Sequence, residues 1–90
     1  MGKSVIVVGP QGSGKSLNAG ALLGEFDLQT VVELDDVLFG LRAERLEPTG
    51  QLILTCDAQQ ARTWSTRWGL EVVHVDQVRA RLGAAWRTSP

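Results

Sequence analysis

A chain of 90 residues with 9 Lys/Arg, 10 Asp/Glu and a net charge of −1 has room for one small domain with a thin core. Its 43% hydrophobic content is ordinary for a soluble globular chain, and the balanced charge lacks the electrostatic footprint of a nucleic-acid binder. No apolar run approaches the ~20 residues needed to span a membrane, and the single cysteine, Cys56, excludes an intramolecular disulfide and a cysteine-built zinc site.

The start, Met1-Gly2-Lys3-Ser4-Val5, leads into a strand-like run too short for a signal-peptide core and without a small-residue cleavage site after it. Together with the lone cysteine this fits a reducing interior, and the expected location is cytoplasmic. Charge is unevenly spread. Residues 1–57 hold four Lys/Arg against eight Asp/Glu, net −4, and residues 58–90 hold five Arg against two acids, net +3. The second half therefore presents a solvated helix surface or an arginine-bearing face for phosphate or a partner.

Ser4 to Val8 is a continuous apolar run closed by Gly9-Pro10, the pattern of a strand covered on both faces. A helix is predicted from about Gly14 to Phe26, with Leu17, Ala21, Leu22 and Phe26 as its apolar stripe; Gly20 and Gly24 would serve close helix–sheet approach. Thr30 to Leu34 reads as a second strand ending at Asp35-Asp36, and helical spacing returns in Val37, Leu38, Leu41, Arg45 and Leu46. A turn at Pro48-Thr49-Gly50 precedes a third strand, Gln51 to Cys56. Asp57 is placed to cap the next helix, whose face carries Ala61, Trp64, Ser65 and Trp68 and which Gly69 ends. The fourth strand is Leu70 to Val75, and Asp76 would cap a last helix bearing Val78, Leu82, Ala85 and Trp86. Strand and helix thus alternate four times. The expected fold is α/β, a small three-layer sandwich around a four-stranded parallel sheet, with residues 1–90 as a single domain.

The segment Gly9-Pro10-Gln11-Gly12-Ser13-Gly14-Lys15-Ser16 carries the chemistry. It fits the phosphate-binding pattern G-x-x-x-x-G-K-[ST] between a buried-type strand and a helix start. A chance match in a chain this long is roughly a few in a thousand. Glycines let the backbone approach phosphate oxygens. Successive N–H groups around Gly12 to Lys15 would form an anion nest, reinforced by the helix dipole. Lys15 would reach the β- and γ-phosphates, and the Ser16 hydroxyl would ligate Mg²⁺. The expected nucleotide-binding set is Gly9, Gln11, Gly12, Ser13, Gly14, Lys15, Ser16 and Leu17.

On these residues the chain resembles the P-loop NTPase superfamily over about residues 4–26, and in its brevity it looks like small P-loop proteins of bacteriophages and prophages. The resemblance implies a second magnesium contact at the end of an apolar strand. Val31-Val32-Glu33-Leu34-Asp35-Asp36 is similar to the Walker B box of AAA-type ATPases, which makes Asp35 the metal residue and Asp36 the residue that polarises the attacking water. The family usually has Glu at that second place, and the shorter Asp36 points to slow hydrolysis. Leu52-Ile53-Leu54-Thr55-Cys56-Asp57 then looks like the sensor strand, with Thr55 or Asp57 near the γ-phosphate and a sheet order of 2-3-1-4. Asp57 is also the alternative Walker B acid.

The implied ligands are ATP and Mg²⁺. ATP is expected over GTP because no Asn-Lys-x-Asp guanine box is present. The implied activity is a slow ATPase, acting as a homo-oligomer or with a protein partner that supplies an arginine. A non-catalytic, nucleotide-dependent interaction module is the first alternative. The second is a phosphotransferase like the shikimate- and gluconate-type kinases. Those chains are considerably longer, and the short connections here leave no room for their lid or acceptor pocket. Arg62, Arg67, Arg79 and Arg81 read as a solvated face, Trp64 and Trp68 as core or a partner patch, and His74 as a satisfied or edge histidine.

Overall fold

The apolar runs become strands, and the burial of each follows its place in the sheet. The computed structural model describes residues 2–10, 17–34 and 46–86. Its elements run β1 (Val5–Val8), α1 (Ala19–Phe26), β2 (Thr30–Glu33), β3 (Gln51–Thr55), α2 (Ala58–Trp68), β4 (Glu71–His74), α3 (Val75–Leu82) and a 3₁₀ turn at Gly83–Ala85. All strand pairs are parallel, in the order β2-β3-β1-β4. This is the expected α/β architecture and the expected order. β1 and β3, in the middle, are buried at every residue, whereas the edge strands β2 and β4 each bury one residue, Val32 and Val73. Continuous hydrophobicity thus marks a strand with cover on both faces and neighbours on both sides, and alternation marks an edge.

Register assigns the two faces. Val5 pairs with Leu52 and Val7 with Leu54 and Val73; this face packs Leu22 of α1 and Val78 of α3, with Ala19, Leu23, Phe26, Leu82 and Trp86 around them. Ile6 pairs with Ile53 and Val72, and this opposite face, with Val8, packs Ala61, Trp64 and Trp68 of α2. Helices α1 and α3 therefore form one outer layer and α2 the other. Among the described residues no helix is long and apolar enough to cross a membrane.

Several local expectations need correction. The buried stripe of α1 is Leu22 flanked by Ala19, Leu23 and Phe26, while Ala21 is exposed. Leu17 is half-buried in a turn before the helix. Neither Gly20 nor Gly24 approaches the sheet: a Cβ added at either meets no atom within 4 Å, and both are exposed. They cost the helix conformational entropy without a packing return. Gly24→Ala is accordingly expected to stabilise the fold by about 0.5–1 kcal/mol, read as a raised midpoint in urea at unchanged slope.

The cap of α3 is also displaced. Its helix starts directly at Val75, so His74 ends β4 and occupies the N-cap position together, and its N–H donates to Gln77 Oε1 at 2.9 Å. Asp76 lies inside the first turn instead, where it favours the helix dipole and pairs with Arg79 at 2.6 Å. Ala85 falls in the 3₁₀ turn and is exposed. The expected helix around residues 37–46 lies outside the described residues except for Leu46, which packs on the α2 face.

The amino edge of the sheet is tied by a polar clamp. The Ser4 hydroxyl donates to Glu47 O at 2.7 Å and accepts from Gln51 N at 3.0 Å, while Gln51 Oε1 accepts from Glu47 N at 2.8 Å. Gly50, at φ 78, makes the turn, and its carbonyl accepts from both Gln29 and Thr30 N–H. Buried polar atoms thus find partners at this edge, as their desolvation requires.

Candidate phosphate site at the carboxyl edge

In a parallel α/β sheet, ligands gather outside the carboxyl ends of the strands where adjacent chains leave toward opposite faces. Here that point is fixed by β1 and β3. The chain leaving β1 enters α1 on one face, and the chain leaving β3 enters α2 on the other. Between them the Gly9 N–H donates to Thr55 O at 3.2 Å, which holds the start of the glycine-rich segment against the end of β3. Gly9 is buried and Pro10 exposed, so the chain emerges into solvent at this place.

Of the residues singled out by sequence, Gly9, Leu17, Thr55 and Asp57 lie within the described residues, and Gln11 to Ser16, Asp35 and Asp36 lie outside them. Thr55 is 1% exposed, and its Oγ1 accepts from Asp57 N at 3.0 Å. Asp57 itself caps α2: one carboxylate oxygen, Oδ1, accepts from Gln59 N at 2.9 Å and Gln60 N at 3.2 Å. That arrangement satisfies two of the otherwise unpaired N–H groups of the first turn. Asp57→Ala should therefore cost about 1 kcal/mol in chemical denaturation, and Asp57→Asn, which caps equally well, should restore it. Loss in both variants would mean that the charge, and not the cap, is what matters there. Among the described residues no group of three or more His, Cys, Asp and Glu is arranged to hold a metal.

A second polar group flanks this edge, and sequence reasoning missed it. Val8 is in register with Thr55 on one side and His74 on the other, so the three form a transverse row at the carboxyl edge on the α2 face. Beside it lies a cavity of about 270 Å³ lined by Val8, Ala58, Arg62, Val72 and His74. Two periodicities build it. Ala58 and Arg62 stand one helical turn apart, and Val72 and His74 project on the same side of β4. The other arginines of the basic half among the described residues are engaged. Arg67 stacks on Trp64 at 5.0 Å, Arg79 pairs with Asp76, and Arg81 pairs with Glu25 at 2.7 Å and covers Phe26 at 4.8 Å. The signal available in the sequence was the strand order, which puts His74 beside Val8; the rotation of α2 that brings Arg62 over them has no sequence signature.

Trp64 and Trp68 are half-buried against the sheet with ring centroids 4.9 Å apart, which places them in the core layer. Comparison with protein-family models, with curated proteins and with solved structures finds no match to this chain.

Proposed function

We propose that this chain binds the triphosphate of Mg-ATP in the segment Gly9 to Ser16. The observation that carries the reading is the coincidence of motif and place. Gly9-x-x-x-x-Gly14-Lys15-Ser16 begins at the end of the central, fully buried strand, at the switch point of the sheet, and is followed by α1. In this reading backbone N–H groups of the segment hold the phosphates, Lys15 bridges the β- and γ-phosphates, and Ser16 with Asp35 holds Mg²⁺. Asp36 orients the attacking water, and Thr55 lies one strand away as the sensor. Turnover is slow, because Asp36 is short for its role and a further arginine comes from a second copy or a partner.

A thermal-shift panel with Mg-ATP, Mg-GTP, ADP and inorganic phosphate tests this directly. At 100 times its Kd a ligand adds about 2.7 kcal/mol. For a domain of this size that raises Tm by roughly 10 °C or more. Mg-ATP should give the largest shift, and no shift from any member of the panel would remove the reading. Equal phosphate release by the wild type and Lys15→Ala would exclude hydrolysis while leaving binding intact, the behaviour of a nucleotide-dependent interaction module.

A further inference from the structure

The cavity between α2 and the carboxyl ends of β1 and β4 has a mixed lining. Val8, Val72 and Ala58 are apolar, and Arg62 and His74, both exposed, carry nitrogen donors. Among the described residues Arg62 faces no carboxylate and no aromatic ring. The described acids on neighbouring elements are engaged elsewhere or distant. Asp57 caps α2, Asp76 pairs with Arg79, and Glu71 stands at the other end of β4, in register with Val5. Arg62 also borders a second cavity, of about 530 Å³, whose other described lining residues are Gln59, Thr63 and Thr66.

We propose that Arg62 and His74 form a binding site for a small oxyanion ligand, a molecule bearing a carboxylate or phosphate group. A guanidinium presents a planar fork of donors matched to two oxygens of such a group, and an imidazole N–H can supply a third contact. The apolar lining residues Val8, Val72 and Ala58 would accept a short apolar body behind the anionic group. At about 270 Å³ the cavity falls just below the range of drug-sized pockets, which sets the ligand as a small metabolite-like anion. The site stands apart from the nucleotide reading, although its floor residue Val8 directly precedes the glycine-rich segment.

His74 is the only histidine in the chain, so its ring resonances report this cavity alone. Uniformly labelled full-length chain would be titrated with malonate, with inorganic phosphate and with sodium chloride at matched ionic strength, following the His74 Cε1–Hε1 cross-peak. Saturable movement with malonate, phosphate or both, and not with chloride, is expected; which of the two anions acts tells the carboxylate class from the phosphate class. Arg62→Ala should weaken the apparent affinity at least tenfold with the amide spectrum otherwise preserved, and Arg62→Lys should recover only part of it. In Lys15→Ala the response should persist. No saturable movement, undiminished binding in Arg62→Ala, or loss of the response in Lys15→Ala would each overturn the proposal. The last of these would assign the anion to the glycine-rich segment and leave the nucleotide reading standing.

Discussion

Replacing Lys15 by Ala should remove half or more of the thermal stabilisation expected from Mg-ATP in the wild-type chain, while the melting temperature without nucleotide changes far less. The separation of the two effects follows from what the lysine is for. It follows Gly14 in the phosphate-binding pattern. In the proposed reading its ammonium, a compact charge, meets the charge of the β- and γ-phosphates. Removing it takes away a charge-assisted contact worth about 1.5–3 kcal/mol, a fall of roughly tenfold to a hundredfold in affinity. At a ligand concentration 100 times the wild-type Kd, the ~2.7 kcal/mol of linkage stabilisation then falls to about 0.4–1.4 kcal/mol. Isothermal titration of both chains with Mg-ATP, beside melting curves with and without nucleotide, separates the contributions. A variant that melts like the parent in the presence of Mg-ATP would detach Lys15 from the ligand and with it the reading of the motif.

The largest effect on stability should come from Ile53→Ala. Ile53 is fully buried at the centre of the sheet, between Ile6 on β1 and Val32 on β2, and faces α2. Truncation removes the transfer free energy of three carbons and leaves a cavity that a strand paired on both sides cannot collapse, a cost of about 2–5 kcal/mol. A domain this small has a total stability of roughly 5–13 kcal/mol, so the variant forfeits about a sixth of it or more. At about 4–8 °C per kcal/mol, Tm should fall by about 8 °C or more, and urea unfolding should show the same loss at an unchanged slope. Glu71→Ala, on an exposed edge position at the other end of β4, should stay within about 0.5 kcal/mol. An Ile53 variant as stable as the Glu71 one would contradict the placement of the core.

The fold was legible because its strongest signals are continuous. Apolar runs of four or five residues, each followed by a helical pattern, define parallel strands, and the likeness of the first unit to a P-loop supplied their order. What failed was local phase. In α1 three of eight residues are glycine or an exposed alanine, so the stripe could be drawn through Ala21 as easily as through Leu23, and only the sheet beneath decides. At the start of α3 the sequence offers Asp76 as a conventional cap, but β4 passes into the helix with no intervening loop and the position falls to His74. Of the candidate site, the strand order brings Gly9 and Thr55 together, and Asp57 caps the helix that follows it. The pairing of Arg62 with His74 depends on how α2 lies across β1 and β4. That is a tertiary quantity, and no spacing within one element contains it.

The position of β1 has a consequence for the birth of the chain. Its two partners, β3 and β4, are both encoded after it, with Val5 waiting for Leu52 on one side and Glu71 on the other. At a synthesis rate of about 5–20 residues per second, the stretch between Val5 and Leu52 takes roughly 2–9 s to make. Throughout that interval the most hydrophobic strand has nothing to pair with, and the glycine-rich segment that follows it has no neighbouring strand end to rest on. Holdase chaperones that bind short exposed apolar stretches should therefore find one at Val5 to Val8 until Leu52 to Thr55 have been added.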